Sequence, residues 1–271
     1  MSINGTLYNG LSGMNSFSTA LSVVSDNVAN ANTTGFKSNS VRFGDLVNTY
    51  LALQTNDNES EGAGSNILGI ATNFAQGLLL GTSNWSDMAV SGEGFFVVKD
   101  VMSDGTTGAL PYYTRDGSFH LDPNGFLINQ QGYRVQGYPD GGGDYSDIQV
   151  QNPENYVSVH VETDGTIIAV DKEGLERTLA KVALATFTNK NGLARQGGNL
   201  SIAGPEIGNV FTNGENPELF GKVYDYSIES SNVDLGKEMV DMIIYQASYN
   251  ANSKTITTGR ELLDTTINMI R

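Results

Sequence analysis

Two histidines, His120 in SFHLD and His160 in VSVHV, are the first side chains to weigh for proton-transfer chemistry. A general base needs convergent partners within hydrogen-bond reach. Each histidine sits in a short stretch of alternating apolar and polar residues, and no partner motif accompanies either, so both read as strand-filling or surface residues. The run Asp57-Asn58-Glu59-Ser60-Glu61-Gly62 opens like a calcium loop, with glycine sixth. Its twelfth position is Leu68 where such a loop requires a bidentate glutamate, which removes the reading. DGGGDYSD, residues 140–147, offers three aspartates and reads as a solvated loop ahead of a weak cation site. SGEGFF, residues 91–96, lacks the third glycine and following helix of a nucleotide loop and reads as a tight entry into a strand. With no cysteine in the chain, thiolate metal sites, cysteine nucleophiles and disulfides are excluded. The expectation is a chain that is not an enzyme, with no cofactor and no metal site. An enzymatic or carbohydrate-binding β domain would need a pocket with convergent polar groups.

Composition points the same way. The 271 residues are 39% hydrophobic and only 17% charged, with a formal net charge of −15. Abundant Gly, Asn, Ser and Thr suggest many turns and neutral polar surfaces. The acidic balance argues against nucleic acid or an anionic membrane as partner, because both need clustered positive charge. No positive segment followed by an apolar one opens the chain, and no run of about 18 apolar residues occurs, so neither a standard secretory signal nor membrane insertion is expected. An exported chain of this kind would need a route that cleaves no signal.

Three elements must position whatever this chain does. In residues 3–31, Leu7, Met14, Phe17, Leu21, Val24 and Val28 lie on one seam of a helix, with Ile3 and Ala31 at its ends and Gly10 in its one gap. Asp26 is the only charged side chain in the first 36 residues, so the opposite face is Ser, Thr and Asn, suited to burial among other helices. Toward the other end, Leu235, Met242, Tyr249, Ile256, Leu263 and Ile270 recur every seven residues, and Met239 and Ile267 hold the companion offset. Val240, Ile243, Ile244, Ala247 and Ala251 add a second apolar flank. Ser231, Asn232 or Asp234 can cap this helix, expected over residues 233–269. Neither seam can be buried on itself, so the helices pair with each other or with neighbouring copies.

Between them the period changes to two. FFVVK, YYTR, SFHL, FLIN, YRVQGY, VSVHV, TIIAV and KVALATF read as strands separated by turn signals such as DPNG and DGT. The expected fold is α+β, with an inserted, mostly antiparallel β domain. Terminal helical segments cover 1–37 and 227–271, a connector covers 38–83, and the β-rich outer domain covers 84–226. Within the connector, QTNDNESEGAGSN (residues 54–66) reads as loop-like. NVANANTTGFK is the exit of the first helix. Asn30 and Asn32 lead into a turn, Gly35 supplies the left-handed terminator, Phe36 anchors the connector, and Lys37 marks the return to solvent.

At these residues a resemblance becomes specific. LYNGLSGMNSFSTALSVVSDNVANANTTGFK resembles the N-terminal signature of bacterial flagellar axial proteins, the rod and hook family, and ESSNVDLGKEMVDMIIYQASYNANSKTITTGRELLDTTINMIR resembles the matching C-terminal one. DMAVSGEGFFVV and YYTRDGSFHLDPNGFLINQQGYRVQGYP are similar to the family's β domain. The resemblance implies that the terminal helices pair as a coiled coil and that many copies stack into a helical tube through which export substrates pass and torque is transmitted. It implies adjacent rod, hook or hook-junction proteins as partners, transient contact with the flagellar type III export machinery and a cap, and residence in the basal body or hook. SNVDL, INMIR and QGYRVQGYP favour the hook class; the compact layout after QGYP, without an extra outer domain, is the argument for distal rod.

Overall fold

The computed structural model describes residues 3–48, 61–102, 107–139, 145–151 and 153–270. Residues 54–60 of the acidic connector, and most of the aspartate-rich 140–147 stretch, lie outside the described residues. The chain divides into two compact units.

The first unit gathers three separate stretches, Met1–Ala31, Ser38–Asn73 and Val233–Arg271. Helix α1 (Ile3–Ala29) and helix α2 (Leu235–Ile270) are its long elements. They run antiparallel and in contact, since Phe17 meets Tyr245, Gly13 meets Asn252, Gly10 meets Ile256 and Leu7 meets Gly259. Asp234 caps α2, its Oδ1 accepting from the Gly236 and Lys237 amides at 2.9 and 3.2 Å. Between the helices in sequence lies a hairpin, not a loop. Strand β1 (Asn39–Asn48) pairs antiparallel with β2 (Glu61–Thr72), in register from Asn39↔Thr72 to Asn48↔Glu61 with two irregularities. Residues 61–66, expected in a loop, are thus strand. A GAGS core with no large side chains conceals the period-two signal there. Ala63, Ser65 and Ile67 are half-buried, while Leu68 and Ile70, 75% and 53% exposed, are open to solvent.

The second unit, Asn32–Lys37 with Phe74–Asn232, is β. Its strands are β3 (Leu79–Gly81), β4 (Met88–Ser91), β5 (Phe95–Val101), β6 (Thr107–Thr114), β7 (His120–Leu121), β8 (Leu127–Ile128), β9 (Arg134–Pro139), β10 (Ser146–Asp147) and β11 (Tyr156–Val161). There follow β12 (Thr166–Asp171), β13 (Glu176–Val182), β14 (Leu184–Phe187), β15 (Leu193–Gly197), β16 (Leu200–Ala203), β17 (Val210–Thr212), β18 (Lys222–Asp225) and β19 (Ser227–Glu229). The main sheet runs β11-β12-β13-β9-β5-β6-β16-β15, with every pairing antiparallel. Strand β5 explains why FFVV carries no polar residue. Side chains alternate faces, so Phe96 and Val98 enter one buried cluster with Phe119, Leu127 and Ile167. Phe95 and Val97 enter a second, with Tyr113, Ala185 and Phe187. Both faces are covered. His120 is exposed and His160 half-buried, on β7 and β11.

Candidate assembly surface

The buried line of α1 is not the one its large residues draw. Gly10, Gly13, Ser16, Ala20, Val24 and Asn27 are its buried positions, and Leu7, Met14, Phe17, Leu21 and Val28 flank it half-buried. Small residues bring the helices close. A Cβ on Gly10 would stand 2.9 Å from Ile256 Cγ1, and one on Gly13 would stand 2.7 Å from Asn252 Oδ1. A heptad count of large apolar residues passes over such a line, because glycine and serine score as gaps. On α2 the seven-residue line divides. Met242, Tyr249, Ile256 and Leu263 are half-buried, whereas Leu235 and the companion positions Met239 and Ile267 are exposed. The Ile270 side chain lies outside the described residues.

The hairpin of the same chain takes part of the polar face of α1, while Asn15, Ser18, Thr19, Ser22 and Ser25 are exposed. Ser16 Oγ donates to the Ser65 carbonyl at 3.2 Å, the Ser65 amide donates to Ser12 Oγ at 3.3 Å, and Asn9 Nδ2 donates to the Gly62 carbonyl at 3.3 Å. Gly64 makes this approach possible: with φ +98 it takes a backbone form that L side chains rarely adopt, and a Cβ there would sit 2.0 Å from Ser12 Oγ. At the far end the Asn27 amide is fully buried. It donates to the Asn39 carbonyl at 2.8 Å and to Glu238 Oε2 at 3.1 Å, and its Oδ1 accepts from the Asn39 amide at 2.9 Å. One neutral side chain therefore holds α1, β1 and α2 together without desolvating a charge of its own.

The exit of α1 departs most from expectation. Asn30 stays on the helix end, donating to Asp26. Asn32 is exposed, Gly35 has φ +68, and Phe36 is buried beneath the Arg195 guanidinium, 4.9 Å from its ring centre. Lys37 does not return to solvent. Its Nζ, buried in the β unit, lies 2.5 Å from Glu229 Oε1 and 2.8 Å from the Ala75 carbonyl. Glu229 also accepts from the Gly77 amide at 2.8 Å and from Arg115 Nη1 at 3.2 Å. Arg115 reaches on to the Val90 and Gly92 carbonyls. Two cations thus share one carboxylate whose side chain is wholly buried. Burial lowers the Lys37 ammonium below its ordinary 10.5, a shift that Glu229 partly opposes, and it lowers the Arg115 guanidinium likewise. No spacing rule links residues so distant in sequence.

What remains open is apolar. Met239, Val240, Ile243 and Ile244 are 53, 55, 65 and 51% exposed, and Tyr8, Leu11, Leu262 and Met269 are exposed too. No group of acidic or histidine side chains placed to hold a metal occurs among the described residues, and no helix there is long and apolar enough to cross a membrane. The class this defines is an α+β chain whose paired end helices display a contiguous uncovered apolar row.

Comparison with known proteins narrows that class. The family models that match are flagella basal body rod protein over residues 7–37, flagellar hook protein FlgE/F/G D1 domain over 89–169, and flagellar basal body rod FlgEFG protein C-terminal over 225–269. The flagellar basal-body rod protein FlgG of Bacillus subtilis is 32% identical over 98% of this chain and 99% of its own. That of Borreliella burgdorferi is 31% identical over 98% of both. The flagellar hook protein FlgE of Brucella suis is 25% identical, in an alignment of 408 positions covering all of both chains. The chain belongs to the flagellar rod and hook protein family, a family of structural subunits of the basal body and hook.

Proposed function

We propose that this chain is a rod-type subunit that packs with many copies of itself into the wall of a helical tube, its terminal helices wound as a coiled coil. The observation that carries the reading is the unpaired apolar back of α2. A contiguous row of Met239, Val240, Ile243 and Ile244 on a long helix is surface that a soluble monomer does not ordinarily keep open. Substrates of the export route would pass through the lumen, and torque would travel along the wall. Adjacent rod, hook and junction subunits, the export machinery and a cap are the expected partners, and delivery without signal cleavage is the expected route.

Length supports rod over the hook assignment that SNVDL and INMIR favoured. The rod relatives match end to end in 275 and 281 aligned positions, whereas the hook alignment needs 408 for a chain of 271. Long stretches of that hook protein therefore have no counterpart here. Electron microscopy of the purified full-length chain at high concentration tests the proposal. Straight tubes are expected; curved tubes would return the hook reading, and a chain that stays monomeric would overturn self-assembly. Ile256→Asp, which sets a charge against Gly10 in the helix pair, should abolish tubes.

A further inference from the structure

Six residues, Asn32–Lys37, belong to the β unit, although the chain before them up to Ala31 and after them from Ser38 belongs to the helix and hairpin unit. They form no helix or strand there and add nothing to a sheet. Instead, four consecutive residues are each met by a different part of the β unit. Thr34 Oγ1 donates to Asp116 Oδ1 at 3.0 Å, and the Thr34 carbonyl accepts from Asn199 Nδ2 at 2.6 Å. Asn199 offers that amide from φ +59, a left-handed backbone form that asparagine tolerates better than most residues. The Gly35 amide donates to the Glu229 carbonyl at 2.8 Å, and a Cβ on Gly35 would stand 2.5 Å from the Asp116 amide nitrogen. Phe36 lies buried under the Arg195 guanidinium, and Lys37 Nζ ends on Glu229 and the Ala75 carbonyl.

We propose that the β unit carries a peptide-binding socket selective for the sequence Thr-Gly-aromatic-Lys, which residues 34–37 of the same chain fill as a releasable strap. Each requirement is set by a group already in place. Lysine reaches a carboxylate that is wholly buried, glycine alone fits against the backbone of residues 115 and 116, and a flat ring lies under a guanidinium. Recognition is by side chains and close backbone approach, not by an added strand. Charge explains why the strap can leave. With Lys37 out, Glu229 still pairs with Arg115 Nη1 at 3.2 Å and still accepts from the Gly77 amide at 2.8 Å, so the empty socket keeps a neutral, hydrogen-bonded ion pair. With Lys37 in, two buried cations share that one carboxylate. Lys37 is thus the surplus charge of the cluster. Nor does a strand lose a ladder partner on release, since β19 is laddered to β3. Docking of the strap is therefore an equilibrium separate from folding of the β core.

Native-state hydrogen exchange on the unsubstituted full chain gives the first test. The Gly35 amide should be at least about tenfold less protected than the Val98 amide of β5, through an opening that low urea does not promote. Equal protection of the two, with one urea dependence, would overturn the proposal, because the strap would then leave only as the whole unit unfolds. The second test supplies the strap from outside. A fluorescein-labelled peptide of residues 30–39, NANTTGFKSN, is added to the full chain carrying Phe36→Ala and Lys37→Ala, and its anisotropy is followed. Binding is expected, weakened by about tenfold or more in a peptide carrying Lys37→Met and lost in one carrying Gly35→Ala. The unsubstituted chain, filled by its own strap, should bind the peptide about tenfold more weakly than the variant does, or less. Equal binding of the three peptides would overturn the proposal, as would no binding to a variant whose Trp85 fluorescence shows a folded core. Should the double variant not fold, the exchange comparison decides alone.

Discussion

The two units bury polar groups differently. In the helix and hairpin unit, burial rests on neutral side chains, Ser12, Ser16 and Asn27, reaching backbone and one carboxylate. The β unit buries neutral groups such as Gln136 and Asn213 as well, and adds a charged cluster in which Lys37 and Arg115 share Glu229. Hydrophobic burial contrasts as well. The β unit fills two clusters around β5, while α2 leaves its back uncovered. The difference teaches that the β unit gathers two cores around one strand, while the long helix keeps an apolar row that no described residue covers.

Breaking the charged side of the contrast should have the largest effect. Glu229→Gln strands two buried cations and should cost about 3–5 kcal/mol in urea unfolding of the full chain. A loss below 1 kcal/mol would mean water reaches the cluster. Next come the neutral contacts. Gly13→Leu forces the helices apart against Asn252 and should cost about 1–3 kcal/mol, with the loss appearing in helical circular dichroism. Asn27→Ala removes the donor to Glu238 and the Asn39 carbonyl and should cost about 1–3 kcal/mol, read as faster hydrogen exchange at the Asn39 amide.

A pH series sharpens the comparison further. Folding weakens proton binding at Lys37, so the unfolded chain holds more protons in the window between the lowered native pKa and 10.5. Stability from this group therefore rises with pH through that window. Its carboxylate partner Glu229 and its like-charged neighbour Arg115 face it, with Glu93 acting from further off. Lys37→Met should flatten the rise in urea midpoint. Burial raises the Tyr113 hydroxyl above 10.0, so this tyrosine favours the folded state less as pH climbs past that value, and the gain should reverse there. The smallest effect on the monomer is expected at the uncovered row. Ile243→Ser should change unfolding by no more than about 0.5 kcal/mol, yet prevent tubes. A monomer loss as large as that of Gly13→Leu would show the row to be covered within the chain.

How much of this the sequence displayed depended on range. The line Met242, Tyr249, Ile256 and Leu263 was visible because helical period is a local property, and FFVVK read as a strand, although only the structure showed both its faces covered. The stripe Gly10, Gly13, Ser16 and Ala20 was hidden, since apolar periodicity is blind to residues valued for their smallness. The hairpin was hidden by the same means: Gly62, Gly64 and Ser65 carry no alternation. Lys37 was misplaced outright. Its partners are Glu229 and the Ala75 carbonyl, and pairing across such distances is set by tertiary structure alone. The hook preference rested on SNVDL, INMIR and QGYRVQGYP, short stretches that say nothing of overall length.

The three-part make-up of the first unit has a consequence for the order of events in folding. Gly10 cannot meet Ile256, nor Leu7 meet Gly259, until nearly the whole chain is present, while β5–β6 and β12–β13 pair with close neighbours in sequence. Contacts of such wide separation form slowly, because the intervening loop must close first. The β unit should therefore reach its native state as an island while α1 waits, apolar and unpartnered, for α2 to arrive. A stopped-flow experiment following Trp85, whose ring packs on the β core, alongside far-ultraviolet helicity would then show two separate phases, with fluorescence leading.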